Sequence, residues 1–228
     1  MRTTFLTLAA ASLALAGCTR EPVDIPTDLA KAAPICFLTQ AMTIRDANDF
    51  KEGDPVSLSL YAATIKYPMI AAAKDDGFDP TNSILPLIPD NQELVDDLNT
   101  KDYEAAVPQC NKLFGVRAEG KPATLPENDG QASMSCYGMV QYMNGVIQAE
   151  DINTEGKDEF FAELTKRLEA SFEALIEADP ETFAAITSDE SAEQMINEAI
   201  KGAFAQGDPL AYLEACDKRF TGKVVSGT

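Results

Sequence analysis

The sequence predicts an all-α protein made of two tandem, duplicated helical units, each closed by one disulfide. Three observations predict it. Apolar residues recur at spacings of three and four over long stretches, and no stretch alternates as a half-buried strand would. Four cysteines fall in matching surroundings in the two halves of the chain. Between them, Asp54-Pro55, Asp179-Pro180 and Asp208-Pro209 each place a capping carboxylate ahead of a proline suited to a first helical turn.

The first unit is expected over residues 34–115. Cys36-Phe37 begins an apolar run containing Gln40 and Met42. Asp54-Pro55 should open a helix that runs to Lys74, kinked at Pro68 because proline has no N–H to donate. Residues 78–90 hold three prolines and read as a surface loop, after which helices resume near Asn91 and Lys101. Residues 116–130, rich in glycine, proline and mixed charge, read as the linker.

The second unit is expected over residues 131–222, followed by a tail at 223–228. Val140, Met143, Val146 and Ile147 form an apolar stripe after Cys136. A longer stripe joins Phe160, Phe161, Leu164, Leu168, Phe172, Leu175 and Ile176, with Glu163, Lys166, Arg167, Glu169 and Glu173 away from it. A third joins Ala192, Met195, Ile196, Ala199, Ile200, Ala203 and Phe204, with Ser188 as N-cap and Gly207 as stop.

The duplication rests on four ordered landmarks. Cys36-Phe37 matches Cys136-Tyr137 at the front of each unit. At the rear, Cys110-Asn111-Lys112-Leu113-Phe114-Gly115 matches Cys216-Asp217-Lys218-Arg219-Phe220-Thr221-Gly222, each with a tyrosine upstream, Tyr103 and Tyr212. Four cysteines allow three pairings. Duplication selects Cys36–Cys110 and Cys136–Cys216, each expected to contribute about 4 kcal/mol by restricting the unfolded chain.

The fifth cysteine stands elsewhere. Met1-Arg2 precedes an uncharged, apolar stretch from Phe5 to Leu15, and Leu15-Ala16-Gly17-Cys18 follows. A positive start, a short apolar run and a small-residue cut site describe a secretory signal peptide over residues 1–17. Leu-Ala-Gly-Cys resembles the lipobox of bacterial lipoproteins. The resemblance implies cleavage before Cys18, diacylglycerol on its sulfur and acylation of its new amine, so that the lipid bilayer is a partner. Thr19 occupies the place where aspartate usually retains Gram-negative lipoproteins at the inner membrane, which favours the outer membrane. Residues 18–33, polar with prolines, then read as a tether.

Composition narrows the function. The chain has 37 acidic against 18 basic residues and a formal charge of −19, which argues against nucleic acid as a partner. It has no histidine, so the usual general base, the Ser-His-Asp and Cys-His triads and imidazole metal sites are absent. No phosphate-binding glycine loop or nucleophile elbow occurs, and no enzyme activity or cofactor is expected. Asp151, Asn153, Glu155 and Gly156 approach a calcium loop, but position 12 is Ala162 instead of glutamate, so the segment reads as an inter-helix loop and no metal is expected. Tyr137, Tyr142 and Met143 are candidates for lining an apolar pocket. Cys136-x5-Tyr142-x2-Gly145-Val146 resembles a segment of periplasmic immunity proteins, which implies a toxin-neutralising inhibitor; the first unit lacks the glycine. The leading expectation is a non-enzymatic envelope interaction or scaffold protein with an envelope protein as partner. A carrier of a small apolar ligand comes next, then the inhibitor.

Overall fold

The computed structural model describes residues 20–51, 54, 57–78, 83–88, 92–116, 121–149, 157–178 and 189–220. The fold is all-α, with four helices in each unit among the described residues. The first unit holds α1 (Leu29–Asn48), α2 (Leu58–Ala72), α3 (Gln92–Asn99) and α4 (Val107–Phe114). The second holds α5 (Asp129–Ala149), α6 (Lys157–Ala178), α7 (Asp189–Phe204) and α8 (Pro209–Phe220). Two very short strands, β1 (Glu21–Pro22) and β2 (Lys101–Asp102), pair in parallel, with Glu21 opposite Lys101.

The duplication extends to individual hydrogen bonds. Asp28 caps α1 by accepting from the Lys31 N–H at 3.1 Å, and Asn128 accepts from the Gln131 N–H at 3.0 Å at the start of α5. One turn on, Ala32, Ala33 and Cys36 face the core from α1, as Ala132, Ser133 and Cys136 do from α5. Cys36–Cys110 ties α1 to α4 and Cys136–Cys216 ties α5 to α8, with Cα atoms 5.7 and 5.8 Å apart. All four cysteines are fully buried. The residue after each rear cysteine then accepts from the second helix of its unit. Asn111 Oδ1 takes the Tyr67 hydroxyl at 2.9 Å, and Asp217 Oδ1 takes the Arg167 guanidinium. Tyr67 and Arg167 stand 100 positions apart, as Cys36 and Cys136 do.

The two units share one core. Leu58, Ile65, Met69 and Ala72 of α2 pack into the same cluster as Met139, Leu164, Leu168, Phe204 and Leu213 of the second unit. Tyr67, Ile70 and Ala71, on the other face of α2, pack with Cys36, Cys110 and Phe114. A helix apolar on all sides can only be a buried one. The seam is tight at its C-terminal end. Phe78 stacks edge-on against Phe204 with centroids 5.4 Å apart, and Lys201 Nζ donates to the Asp75 carbonyl at 2.6 Å. Gly207 takes φ +65° directly against α2: a Cβ there would lie 2.8 Å from Ile70 Cγ1 and closer still to Cδ1.

Several expected boundaries move. The first unit begins earlier than residue 34, since α1 starts at Leu29 and the chain is already held from Arg20. Val23 is buried with Met42, Leu98, Tyr103 and Ala106, and burial of one such side chain contributes about 1.5–3 kcal/mol. The expected tether over 18–33 therefore does not extend through its described part. Helix α2 opens at Leu58, capped by the Ser57 hydroxyl, and continues through Pro68, itself buried. Loop residues Phe78 and Ile84 face the core, so 78–90 is more than a surface loop. The linker is not free either. Thr124 and Gln206 exchange two hydrogen bonds of 2.9 and 2.8 Å, and Arg219 binds the Pro126 and Glu127 carbonyls and Asp129. In the α6 stripe Phe161, Leu164 and Leu168 are buried, whereas Ile176 is 40% exposed. Asp208 caps α8 as expected, accepting from the Ala211 N–H at 3.0 Å. The caps at Asp179-Pro180 and Ser188, the leader 1–17 and the tail 223–228 lie outside the described residues.

Candidate functional site

A concave surface forms around residues 121–128, which cross the second unit as an extended strap. Two side chains pin it, as their geometry requires. Gln206, in the last turn before Gly207, presents an amide that both donates and accepts, and it satisfies both backbone groups of Thr124. Arg219, in the last turn of α8, spreads its planar fork over two carbonyls and one carboxylate. Strapped in this way, the segment leaves a groove along each edge.

The groove on the α7 side has a volume of about 730 Å³. Small residues, Ala199 and Gly202 of α7 and Ala205 just after it, line it together with the apolar Leu125, Met134 and Tyr212. Nothing lies within 4 Å of where a Cβ at Gly202 would stand. Glu198 is the charged member of the lining, with Gln131 and Gln206 as neutral amides. The groove on the α8 side is about 970 Å³ and mixed in charge, with Lys121, Lys218 and Arg219 facing Asp208 and Glu214. Both lie open to solvent, suiting an extended or helical segment of another molecule more than an enclosed small ligand.

The ionisable groups here are set up for packing. Burial raises the Tyr212 hydroxyl above its ordinary range, and its hydrogen bond with Ser135 and the Arg219 charge offset part of that. Tyr67 and Tyr142 are also raised by burial. At the other end of the molecule the Tyr103 hydroxyl donates to the Asp46 carboxylate, which lowers Asp46 and raises Tyr103. Among the described residues no group of three or more Cys, Asp and Glu side chains is gathered to hold a metal. No described helix is long and apolar enough to cross a membrane.

The residues singled out by sequence fall into three groups. Cys36, Cys110, Cys136 and Cys216 are brought together as the two disulfides. Tyr137, Tyr142 and Met143 lie in the packed second-unit core, and the two grooves are lined by other residues. Met143 is fully buried, while Tyr142 packs edge-on against Phe204 with its hydroxyl unpartnered among the described residues. Cys18, Thr19 and the calcium-like Asp151, Asn153, Glu155 and Gly156 lie outside the described residues. Sequence reasoning missed the strap and its pins. The sequence shows long polar side chains at Gln206, just past the end of α7, and Arg219, in the last turn of α8, but nothing in it names what they hold.

No protein-family model, no curated protein and no solved structure matches the chain.

Proposed function

We propose that the chain is a lipid-anchored, periplasm-facing binding protein of the bacterial envelope, an interaction or scaffold module without catalytic activity. One observation carries the proposal. Of five cysteines, the four in the helical units pair with one another, which leaves Cys18 as the odd one, and Cys18 closes the apolar leader. Paired structural cysteines belong to an oxidising compartment, and a single cysteine at the end of such a leader fits acylation.

The strap and its grooves support binding as the activity. The lining of the α7 groove is small, apolar and amide-rich, and that of the α8 groove is mixed in charge. Open grooves favour a protein segment over a small apolar ligand, so the carrier remains the alternative. A toxin-neutralising inhibitor is one form of protein binder, and a charge of −19 suits a basic partner.

The test fills the α7 groove. Gly202→Arg places a long side chain on an exposed helical position with open space around it, and glycine to arginine favours the helix. The melting temperature should hold or rise, and the crosslinks that the wild-type protein forms in the intact envelope should disappear. An unchanged crosslinking pattern in a folded Gly202→Arg protein contradicts the groove as the binding surface.

A further inference from the structure

We propose that the end of the fold carrying β1, β2 and the C-terminus of α3 is the face that meets the bilayer, held against the headgroups by two residues of chain. The inference rests on Cys18 being the acylated residue. It goes beyond attachment, because it assigns the molecule one orientation on the membrane.

The fold begins almost at the anchor. The Arg20 guanidinium lies 5.9 Å from the centroid of the Tyr103 ring. Glu21 and Pro22 are paired with Lys101 and Asp102, and Val23 is buried in the cluster of Met42, Leu98, Tyr103 and Ala106. Only Thr19 separates Cys18 from Arg20. Whatever their conformation, two residue steps reach at most about 7 Å. That is close to one headgroup layer, which is about 5–8 Å thick on each side of the hydrocarbon. A tether running freely to residue 33 would instead reach roughly 50 Å and leave the orientation unconstrained.

Paired strands lie about 4.8 Å apart, so β2 and the residues just before it, Asn99 and Thr100, share the face that β1 brings to the membrane. The charges there are interspersed, with Arg20, Arg45 and Lys101 among Glu21, Asp24, Asp46 and Asp97. Arg45 pairs with Asp46 at 3.0 Å and Lys101 with Asp97 at 2.7 Å. Glu21, Asp24 and the exposed Asp102 leave that face slightly acidic, which zwitterionic headgroups, carrying no net charge, do not repel, and the acyl chains supply the affinity.

The chain contains no tryptophan, so a single one reports without background. Asn99→Trp labels the proposed membrane face and Glu163→Trp an exposed position on α6. Each acylated protein, purified from its own membrane, is placed on phosphatidylcholine vesicles with and without nitroxide on the headgroups. Asn99→Trp should lose most of its emission to the nitroxide, and Glu163→Trp should keep it. A flexible Gly-Ser insertion between Thr19 and Arg20 should restore the Asn99→Trp emission while the protein stays on the vesicles. Equal emission loss at the two positions, in protein that is acylated and vesicle-bound, overturns the orientation alone. Wild-type protein without acyl chains overturns the anchor, and the orientation with it.

Discussion

Gly207 is where the two units depend on a single missing atom. Its φ of +65° and the pressure of Ile70 are separate penalties for any side chain, and Gly115 allows them to be told apart. Gly115 has φ +62° with nothing within 4 Å of its would-be Cβ. Gly115→Ala should therefore cost only the left-handed conformation, about 1–2 kcal/mol. Gly207→Ala should cost that and about 1–3 kcal/mol more for overpacking, read from urea midpoints at unchanged slope. Adding Ile70→Val, which removes the closest carbon, should recover part of the difference. The buried tyrosines make a second residue-scale prediction. Tyr67, Tyr142 and Tyr212 are all raised by burial, so above pH ~10 the unfolded chain releases protons that the fold retains. Stability is then fully present below that pH and falls as pH rises beyond it, by at most about 1.4 kcal/mol per unit for each tyrosine. Tyr67→Phe should make the alkaline fall in urea midpoint shallower. A flat profile contradicts the burial of these hydroxyls.

Helix α2 belongs to both cores, and its substitutions should report on the whole molecule. Ile65→Ala removes a fully buried side chain from the cluster shared with α5 to α8. It should cost about 2–5 kcal/mol and lower the stability of both units together in one transition. Loss confined to the first unit, seen as protected amides remaining in α5 and α8 after α1 exchanges, contradicts the shared core. Much of the architecture was legible at this scale. The rear motifs around Cys110 and Cys216 gave the pairing because a repeated wording reflects a repeated helix end. The stripe of Phe161, Leu164 and Leu168 gave α6 because its outer face is charged. The role of α2 was harder to see. From Ala62 to Ala73 its one charge is Lys66, so no stripe marks an inner face, and an all-round apolar helix signals burial without naming its neighbours. Val23 and Ile25 were hidden among Pro22 and Pro26, which read as tether, although both pack into or against the core behind β1. The strap was illegible for a related reason: its hold comes from Gln206 and Arg219, far along the chain.

At the scale of the molecule, covalent closure, a shared core and a strapped linker produce one body with grooves on its surface and residues 20–23 fixed at one end. The two disulfides close loops with sequence separations of 74 and 80, long enough for each to contribute about 4 kcal/mol through the unfolded chain. The central claim is that four cysteines serve the fold and the fifth serves the membrane. Intact mass spectrometry of the protein from its own membrane, denatured and alkylated without reduction, tests it most directly. The account predicts a chain beginning at Cys18, heavier by its acyl chains, lighter by the four hydrogens of two disulfides and free of alkylated thiols. A chain that retains residues 1–17, or one that carries an alkyl group on any of Cys36, Cys110, Cys136 or Cys216, would contradict it.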